Sequence, residues 1–592
     1  MFIKKTIFSI LNYIKDEDDQ LKINNSIKTK VLQHFKKSHI LIIIFFYISF
    51  FFINLYTILF YFKPIFKLNK TNQKKIFSKL KKLIKFKQEI VIELFHALLT
   101  LHNEINETPL RNKINKQNLS QNTYFDNIII GSGPGASITA YKLQKENRDT
   151  LVIEKGDFLE VFKLKHPGEE FIHKWKHGGL SGSLGSQVKY ASGECFGGGS
   201  EINSGLYHKP DKKFIKKLRE KFKIKNFNYE DINQEEKNIK KLVDVCQVNF
   251  RSDPISNILI KTAKKKKINY EIMPRLLKLK KNVVKKSTMT NTLLKKYLLL
   301  KGKISLNTTA TKIVKKNNLW VIKVNKNNKV LYLNCKNLFI CAGAPNTLFL
   351  LKKNKLVNKK VSKFYFHFHP MIKVIAKYKK KINSHKYDIC PTQINHFFPK
   401  FIIGHATSSK AQLKINSLSN NEVYSDVKNN WKHMAIFHAT FSLGYGKLIR
   451  IPKVEYPIIN YKLSNKDLDE LKSGLKKFSK FLFSSNCEYI FPVLANSRII
   501  KNKNHNFVDK IKNINELNLS TVHLLGGCPM GENQNITVTD SYGKVHGQSN
   551  LYVNDGSLIC AKLIKNPQGI IMPIALRNIK NFLKNIPKQH IQ

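Results

Sequence analysis

Arginine is scarce in this chain, although the chain is strongly basic. The formal net charge is +63, and lysine supplies nearly all of the cations. A protein that reads nucleic acid is expected to use arginine, whose planar guanidinium makes paired hydrogen bonds to bases and phosphates. We therefore predict no nucleic-acid partner. Two interpretations of the lysine content stay open: the codon bias of an AT-rich genome, since Lys, Asn, Ile and Phe are abundant together, or a functional basic surface.

The eight cysteines form no CxxC pair and show no zinc-ligand spacing. This excludes thioredoxin-type disulfide chemistry, and we predict no metal site. Scattered thiols are typical of buried side chains in a reducing compartment. A standard secretory signal is also lacking, because the first long apolar run starts far from Met1 and has no small-residue cleavage site. We expect a cytoplasmic protein, with attachment to the inner membrane as an open alternative.

An uncharged run of 23 residues, 40–62, stands out in the N-terminal region and has lysines on both sides. Its length can span a bilayer, and it predicts membrane association. The alternative is a helix that is buried in the protein or lies along the membrane interface. Lysine at both ends gives no orientation by the positive-inside rule. A second helical stretch is predicted from Asn72 to about Asn103, and the polar residues 104–122 predict a linker.

A βαβ unit is predicted from Tyr124 onward. A short apolar strand at 126–130 precedes a glycine turn at 131–136, a helix at 137–146 and a second strand at 150–154. A GxGxxG-type turn alone is weak evidence. Here it follows a strand, opens a helix and is succeeded by an acidic residue at the end of the next strand, which is the context of a dinucleotide site.

Each residue of the predicted dinucleotide site has a physical task. Gly131 permits the tight turn, and Gly133 lets the backbone approach a pyrophosphate. Gly135 lies beside them in the turn, and Ala136 takes the third small position, where the helix packs on the strand. The helix N-terminus offers free N–H groups to phosphates. Glu154 is expected to accept hydrogen bonds from the ribose hydroxyls.

A second glycine-dense segment, 193–203, follows later in the chain. Glycines without side chains let backbone amides come close to a flat, electron-rich ring. The sequence here resembles the glucose-methanol-choline (GMC) oxidoreductases, whose second flavin motif has this form. The cofactor-binding residues implied in this segment are Gly197, Gly198, Gly199, Ser200 and Asn203.

Three further stretches are similar to motifs of the same family. Residues 339–344 resemble its strand-to-turn beside the cofactor, and 551–557 resemble its C-terminal strand, whose acidic residue contacts the flavin's chain. Residues 523–531 resemble its active-site histidine segment, although Pro529 stands where the family usually has a basic residue. The cofactor-binding residues implied by these stretches are Ala342, Gly343, Asp555 and Gly556.

The resemblance covers roughly 124–582 and is nearest the long-chain fatty alcohol oxidase and cholesterol oxidase-like branch. It implies an α/β fold, α+β overall, with a Rossmann-like FAD-binding domain that is discontinuous in sequence, a mixed-sheet substrate domain and a helical N-terminal extension. The predicted parts are the extension (1–120), the FAD-binding domain in three pieces (121–215, 301–355 and 516–592), a substrate or cap region (216–300) and the substrate-binding domain (356–515).

The resemblance also implies two catalytic residues. His523 is expected to be the base that takes the hydroxyl proton, because an unperturbed histidine titrates near neutrality, and the rate is expected to rise with pH through one such ionisation. Asn566 matches the family's second position, where it would hydrogen-bond the substrate oxygen without titrating. His208, His367 and His369 are expected to pack or to cap strands.

The function implied by the resemblance is FAD-dependent oxidation of the CH–OH group of an apolar or amphipathic alcohol, with hydride transfer to flavin N5. The FAD is expected to be bound without a covalent link, because 190–200 contains no histidine to carry it. The electron acceptor stays open among oxygen, quinone and cytochrome. Two other classes also stay open: a flavoprotein lyase of the same fold, and a non-enzymatic, membrane-associated flavoprotein.

Overall fold

The computed structural model describes most of the chain, and every structural statement below concerns these residues. The described ranges are 2–82, 89–104, 119–158, 167–247, 253–280, 283–358, 361, 365–384, 390–501 and 506–586. Most of the predicted linker, residues 105–118, lies outside them. Residues 83–88, inside the second predicted helical stretch, lie outside them as well.

Five helices make up the described N-terminal region. They are α1 (Phe2–Glu17), α2 (Asn25–Lys37), α3 (Ile40–Tyr61), α4 (Lys70–Lys82) and α5 (Glu89–Asn103). Their apolar faces form a core of their own, with Ile10, Phe35, Phe50 and Phe95 at its centre. In the described part of the chain, α3 is the one helix long and apolar enough to cross a membrane, and 33% of its most apolar window is buried in the protein.

The remainder of the chain is mixed α and β. Its helices are α6 (Pro134–Lys145), α7 (Pro167–Lys174), α8 (Gly199–Ile202), α9 (Lys212–Phe222), α10 (Tyr229–Leu242), α11 (Pro254–Lys266), α12 (Leu293–Leu299), α13 (Ala344–Lys353), α14 (Lys410–Ser417), α15 (Asn421–Asn430), α16 (Asn465–Ser484), α17 (Asn506–Asp509) and α18 (Gln568–Lys584). Short 3₁₀ turns lie at Ile65–Lys67, Lys176–Gly179, Trp431–His433, Ile514–Leu517 and Gly556–Leu558.

Most of the strands are short. They are β1 (Thr123–Ile130), β2 (Thr150–Ile153), β3 (Ser181–Gly182), β4 (Leu184–Gly185), β5 (Lys189–Tyr190), β6 (Glu271–Ile272), β7 (Leu277–Lys280), β8 (Val283–Lys286), β9 (Lys303–Ser305), β10 (Thr308–Lys316), β11 (Leu319–Lys326), β12 (Lys329–Ile340), β13 (Phe366–Phe368), β14 (Met371–Lys377), β15 (Thr392–Gln393), β16 (Phe401–Ala406), β17 (Met434–Phe441), β18 (Tyr445–Ile449), β19 (Ile458–Lys462), β20 (Tyr489–Pro492), β21 (Ser520–Thr521), β22 (Leu524–Gly526) and β23 (Leu551–Val553).

The central sheet is the doubly wound, parallel type. Its parallel strands lie in the order β9-β2-β1-β12-β23, and the antiparallel strands β10 and β11 extend it along the first half of β12. The strands are buried and rich in branched apolar residues, as expected for a sheet covered on both faces. The predicted α/β class, with a Rossmann-like domain and further mixed sheets, is confirmed.

Two helices begin earlier than the apolar pattern of the sequence predicts, which places them at 137–146 and 573–583. The helix after the glycine turn starts at Pro134, because proline suits the first helical position, where its missing N–H is not needed. The C-terminal helix starts at Gln568 and carries Pro573 inside it. Burial of Ile570 and Met572 accounts for this extension, since it places apolar side chains of the first turns in the core.

Two further sheets lie on the other side of the cavity described below. One has the order β16-β17-β14-β21-β5-β3, with β20 also on β14, and the other has the order β22-β13-β18-β19-β4. In the second of these, β13 and β22 are antiparallel, with Phe368 opposite Leu524. His369 follows the first strand and His523 precedes the second, so the register sets these two histidines side by side.

A buried ionic network joins the N-terminal helices to the rest of the protein. Asp18, which is 1% exposed, accepts from Lys414 at 2.9 Å and from the hydroxyl of Tyr424, and lies 3.1 Å from Lys428. Burial alone would raise the pKa of Asp18, but hydrogen bonds from His96, Tyr424 and Lys414 hold it well below its usual value.

Replacing Asp18 with Asn is expected to lower the free energy of unfolding by about 3–5 kcal/mol at neutral pH, because Lys414 is left buried without its counter-charge. Since the pKa of Asp18 is lowered on folding, this contribution is present above the unfolded value of ~3.9 and is lost as the pH falls below it. Urea denaturation of the two proteins at pH 7 measures the difference. Asp19→Asn is the matched control: its carboxylate is exposed and pairs with Lys428 at the surface, and stability should stay nearly unchanged.

Candidate active site

A cavity of about 710 Å³ opens at the carboxyl ends of β1, β2, β12 and β23. This edge of a parallel sheet is where doubly wound proteins bind their ligands. The predicted site residues that line the cavity are His523, Asn566, Gly131, Gly133, Gly135, Glu154, Gly198, Gly199, Asn203, Ala342, Gly343, Asp555 and Gly556. Residues from distant parts of the chain therefore share one space.

The glycines of the first turn differ in what surrounds them. A Cβ on Gly133 would have nothing within 4 Å, so this backbone faces open cavity. A Cβ on Gly131 would lie 2.3 Å from the carbonyl oxygen of Cys341, and one on Gly135 would lie 2.0 Å from that of Asn554. Gly135 thus provides the close approach between helix and strand that the sequence assigns to Ala136.

Ser132 ties together three parts of the cavity wall. Its hydroxyl donates to Oε2 of Glu154 at 2.6 Å and accepts the backbone N–H of Gly197 at 3.0 Å. The other carboxylate oxygen of Glu154 accepts the N–H of Gly156 at 2.8 Å. Burial raises the pKa of Glu154 to about 7. Ser132 stands at a position that the glycine fingerprint leaves free, so the sequence offered no signal for it.

Three predicted cofactor residues, Ala136, Gly197 and Ser200, do not line the cavity. Ala136 lies in the first turn of α6, and its side chain is buried in the core. Ser200 donates to the carbonyl of Gly197 at 2.8 Å and accepts the N–H of Met289 at 3.0 Å, so it holds the shape of the second glycine segment from behind.

Asp555 connects the two loops that follow β12 and β23 at the cavity wall. Its Oδ2 accepts the N–H of Gly343 at 2.8 Å and the hydroxyl of Thr347 at 2.6 Å, and its Oδ1 accepts the N–H of Ser557 at 2.8 Å. Burial raises the pKa of this carboxyl above its usual value, against these hydrogen bonds. The loop after β12 is therefore held to the loop after β23 at the cavity edge.

His523 and His369 form a pair at the opposite part of the cavity. Their Nδ1 atoms are 3.1 Å apart and their rings meet edge to face. His369 is 1% exposed. Burial lowers the pKa of His523 to about 4, so the ionisation expected near neutrality moves to acid pH. The sequence predicts that His369 packs or caps a strand, and the structure places its ring nitrogen against the predicted base.

Asn566 is held from behind by another histidine. The backbone N–H of Asn566 donates to Nδ1 of His208 at 3.1 Å. Nδ1 therefore carries no proton, and Nε2 of His208 donates to Oε1 of Gln393 at 2.9 Å. Burial lowers the pKa of His208 to about 3, which keeps this ring neutral. His208 was also expected to pack, and its position shows that it orients the loop carrying Asn566.

The cavity wall also includes a buried lysine that the sequence did not single out. Lys176 is 7% exposed, its Nζ donates to Oδ1 of Asn346 at 2.6 Å, and it lies 5.8 Å from the ring centre of Tyr456. Burial lowers its pKa to about 7. Among so many lysines, only tertiary structure distinguishes this one.

Family comparisons agree with this arrangement of sheet and cavity. A profile of an NAD(P)-binding Rossmann-like domain matches residues 129–176. Two profiles of GMC oxidoreductases match residues 174–371 and 452–575, which together are more than half of the chain. The chain belongs to the GMC oxidoreductase family. It is therefore a flavin-dependent oxidoreductase with FAD as its cofactor, as the sequence predicts.

Relatives of this GMC oxidoreductase are distant. An uncharacterised GMC-type oxidoreductase of Sinorhizobium fredii is 25% identical over 490 residues, which are 79% of this chain and 96% of the relative. A long-chain-alcohol oxidase of Arabidopsis thaliana is 23% identical over 500 residues, 76% of this chain and 67% of that enzyme. A second Arabidopsis long-chain-alcohol oxidase is also 23% identical.

Solved structures of low identity share the fold. Pyridoxine 4-oxidase from Mesorbium loti has a TM-score of 0.59 at 12% identity, and the match covers 78% of this chain and 100% of that one. A formate oxidase variant from Aspergillus oryzae has a TM-score of 0.59 at 11% identity, with 79% of this chain and 100% of that one covered.

The cavity of this GMC oxidoreductase fits FAD. Its volume lies in the upper part of the ~300–1,000 Å³ range usual for ligand pockets, and Gly133 and Gly199 present open backbone to it. The first turn of α6 offers free N–H groups for phosphates. Glu154 lines the part of the wall next to this turn, where it would meet ribose hydroxyls.

Gly133→Val is expected to abolish FAD binding while the protein stays folded, because a Cβ at this position has no protein atom within 4 Å and faces the open cavity. Gly135→Val is expected to destabilise the fold itself by about 1–3 kcal/mol or more, because its Cβ would overlap the carbonyl of Asn554. Flavin absorbance and thermal denaturation of the apoproteins separate the two effects. Normal flavin content in Gly133→Val would contradict this position for the cofactor.

Proposed function

We propose that this protein oxidises the carbinol carbon of an apolar or amphipathic alcohol to a carbonyl, with His523 as the base. One observation carries the proposal: His523 and Asn566 come from separate segments and line the same cavity as the dinucleotide turn. The similarity to long-chain-alcohol oxidases supports an apolar alcohol as the substrate class.

His523 is suited to accept a proton at neutral pH. Its low pKa keeps the imidazole neutral, and its Nδ1 is engaged by His369, which leaves Nε2 for the substrate hydroxyl. As Nε2 takes the hydroxyl proton, a C–O double bond forms and the carbinol C–H bond breaks. Bound FAD supplies the two-electron oxidant that accepts the hydrogen and electron pair of that bond.

The environment of His523 supports the charge that it gains. Because Nε2 of the neutral ring must be free to accept, its Nδ1–H donates to Nδ1 of His369, and this hydrogen bond strengthens when the ring gains its positive charge. Asn566 would donate its amide to the substrate oxygen and fix the direction of the C–H bond. Because its backbone is anchored by His208, the amide enters the cavity from a defined position.

His523→Ala should retain FAD and reduce it roughly 10²–10⁴-fold more slowly, the usual contribution of a positioned acid–base group. Asn566→Ala should lose less, since one neutral hydrogen bond typically contributes about 1 kcal/mol. The two losses should not add, because both groups act on one oxygen. Rapid mixing with alcohols of increasing chain length under anaerobic conditions, followed at the flavin band, measures these rates.

Two outcomes of that experiment would reject the proposal. Near wild-type flavin reduction in His523→Ala would mean that another residue is the base. A wild-type flavin that no alcohol bleaches would instead favour a lyase of the same fold, in which the flavin undergoes no net redox change.

The pH dependence of flavin reduction tests whether His369 positions His523. In the wild type, flavin reduction should be flat through neutrality and fall only as His523 is protonated in acid, because a base must be neutral to act. His369→Leu removes an acceptor for the protonated ring. The substitution should slow flavin reduction about tenfold and shift the fall of the rate in acid to lower pH. His369→Gln should partly restore the rate and the pH of this fall. If His369 had a purely structural role, the substitution would change stability or FAD content without shifting the pH at which the rate falls.

We also propose that the protein acts at a membrane through residues 40–62. The exposed apolar surface of α3 supports this association. The first residue of that helix is tied to the cavity wall, since the N–H of Ile40 donates to the hydroxyl of Tyr456 at 2.8 Å and Tyr456 lines the cavity. The full-length protein should float with lipid vesicles in a density gradient without detergent. If it stays at the bottom of the gradient, α3 is not a membrane-binding segment.

A further inference from the structure

The exposed apolar side chains of the described structure are concentrated on α3. Those exposed on the helix and its C-terminal cap are Ile44, Tyr47, Ile48, Phe51, Phe52, Leu55, Ile58, Leu59, Phe60 and Phe62. Most recur at steps of three or four residues, so they share one face of the helix. A continuous apolar face of this size on a folded protein is typical of a membrane or protein contact.

The opposite face of α3 is built into the N-terminal core. Phe46 and Phe50 pack against Phe35 of α2, at 5.6 and 6.3 Å between ring centres, and against Phe95 of α5, at 5.8 and 6.1 Å. Asn54 donates to the hydroxyl of Thr6 in α1 at 3.1 Å and accepts the N–H of Ile65 at 3.2 Å. The helix is therefore held on one side by α1, α2, α5 and the turn at Ile65–Lys67.

These contacts do not suit a helix that crosses a bilayer. To be surrounded by lipid, α3 would have to leave the bundle. Asn54 would then lose Thr6 and Ile65 as hydrogen-bond partners in a medium that offers no replacement, and the apolar faces of α1, α2 and α5 would be exposed to water. We propose instead that α3 lies in the plane of the membrane, with its exposed face in the interfacial and upper acyl region and its other face still packed on the bundle.

The charge around this face indicates an anionic lipid surface as the partner. No Asp or Glu occurs anywhere between Gln20 and Gln88, a stretch that contains many lysines. Lys63 and Lys67 are exposed just beyond the end of α3. The start of α1 lies beside them, because the ring of Phe2 meets that of Phe66 at 4.9 Å, and it adds Lys5, whose Nζ lies over the same Phe66 ring. Cations around an apolar face match anionic headgroups around acyl chains.

The orientation can be measured by the depth of tryptophans placed along the exposed face. Ile44→Trp, Phe51→Trp and Leu59→Trp are made in the full-length holoprotein and bound to vesicles that contain phosphatidylglycerol and lipids brominated at defined acyl positions. A helix in the plane predicts equal, shallow quenching at all three positions, about 5–10 Å below the headgroups. A spanning helix predicts that position 51 is deepest, at the bilayer centre, and this result would overturn the proposal.

A paired substitution tests the surface without disturbing the packed face. Phe51→Ser with Leu59→Ser should weaken binding to phosphatidylglycerol vesicles by about tenfold or more, while FAD content and thermal stability stay unchanged. Leu299→Ser, an equally exposed apolar residue far from α3 in sequence, is the matched control and should bind normally. Equal binding to neutral phosphatidylcholine vesicles would contradict the anionic preference.

The proposed orientation rests on the membrane association proposed above, and the results separate the two. No vesicle binding by the wild type would remove both. Vesicle binding with the deepest tryptophan at position 51 would remove only the in-plane orientation. A lipid-free dimer that the paired substitution converts to a monomer, together with no vesicle binding, would show that the face binds a second copy of the chain instead.

Discussion

The hydroxyl of Ser132 connects the segments that form the predicted dinucleotide site. It donates to Glu154 and accepts from Gly197, so one buried side chain connects the first glycine turn, the acid after the second strand and the second glycine segment. A hydroxyl suits this task because it can donate and accept at once. The backbones of Gly133 and Gly198 approach closely beside it. The shape of the cavity that takes FAD depends on this contact and on the matching role of Asp555 at the neighbouring loop.

The part of the cavity that contains His523 depends instead on the register of two paired strands. Phe368 lies opposite Leu524 in an antiparallel pair, which brings His369 and His523 into contact although 154 positions separate them. His208 accepts the backbone N–H of Asn566 across a separation of 358 positions, without any strand pairing between them. Each polar group proposed to meet substrate is thus supported by a buried neutral histidine. Burial lowers the pKa of His208 and His369 and so keeps these rings uncharged, and the lowered pKa of His523 keeps the proposed proton acceptor neutral.

The N-terminal helices add a unit with its own apolar core, joined to the rest of the chain by the buried Asp18 network. One face of α3 packs in that core while the other is apolar and exposed. The helix also begins at the wall of the cofactor cavity, through the contact of Ile40 with Tyr456. The proposed membrane-binding helix and the cofactor cavity are therefore adjacent in the structure.

By itself, the sequence determined the βαβ unit, because the turn around Gly133 and the acid at Glu154 obey local rules of spacing. The family and the FAD cofactor followed from the resemblance of its later motifs to those of the GMC oxidoreductases. Local pattern also located His523. It did not distinguish Lys176 from the other lysines, or assign roles to Ser132, His208 and His369. Nor did it show that α3 has one buried and one exposed face, since an all-apolar run has no periodicity to read. Tertiary structure decided these points, because each depends on which distant segments pack together and on the burial that this packing imposes.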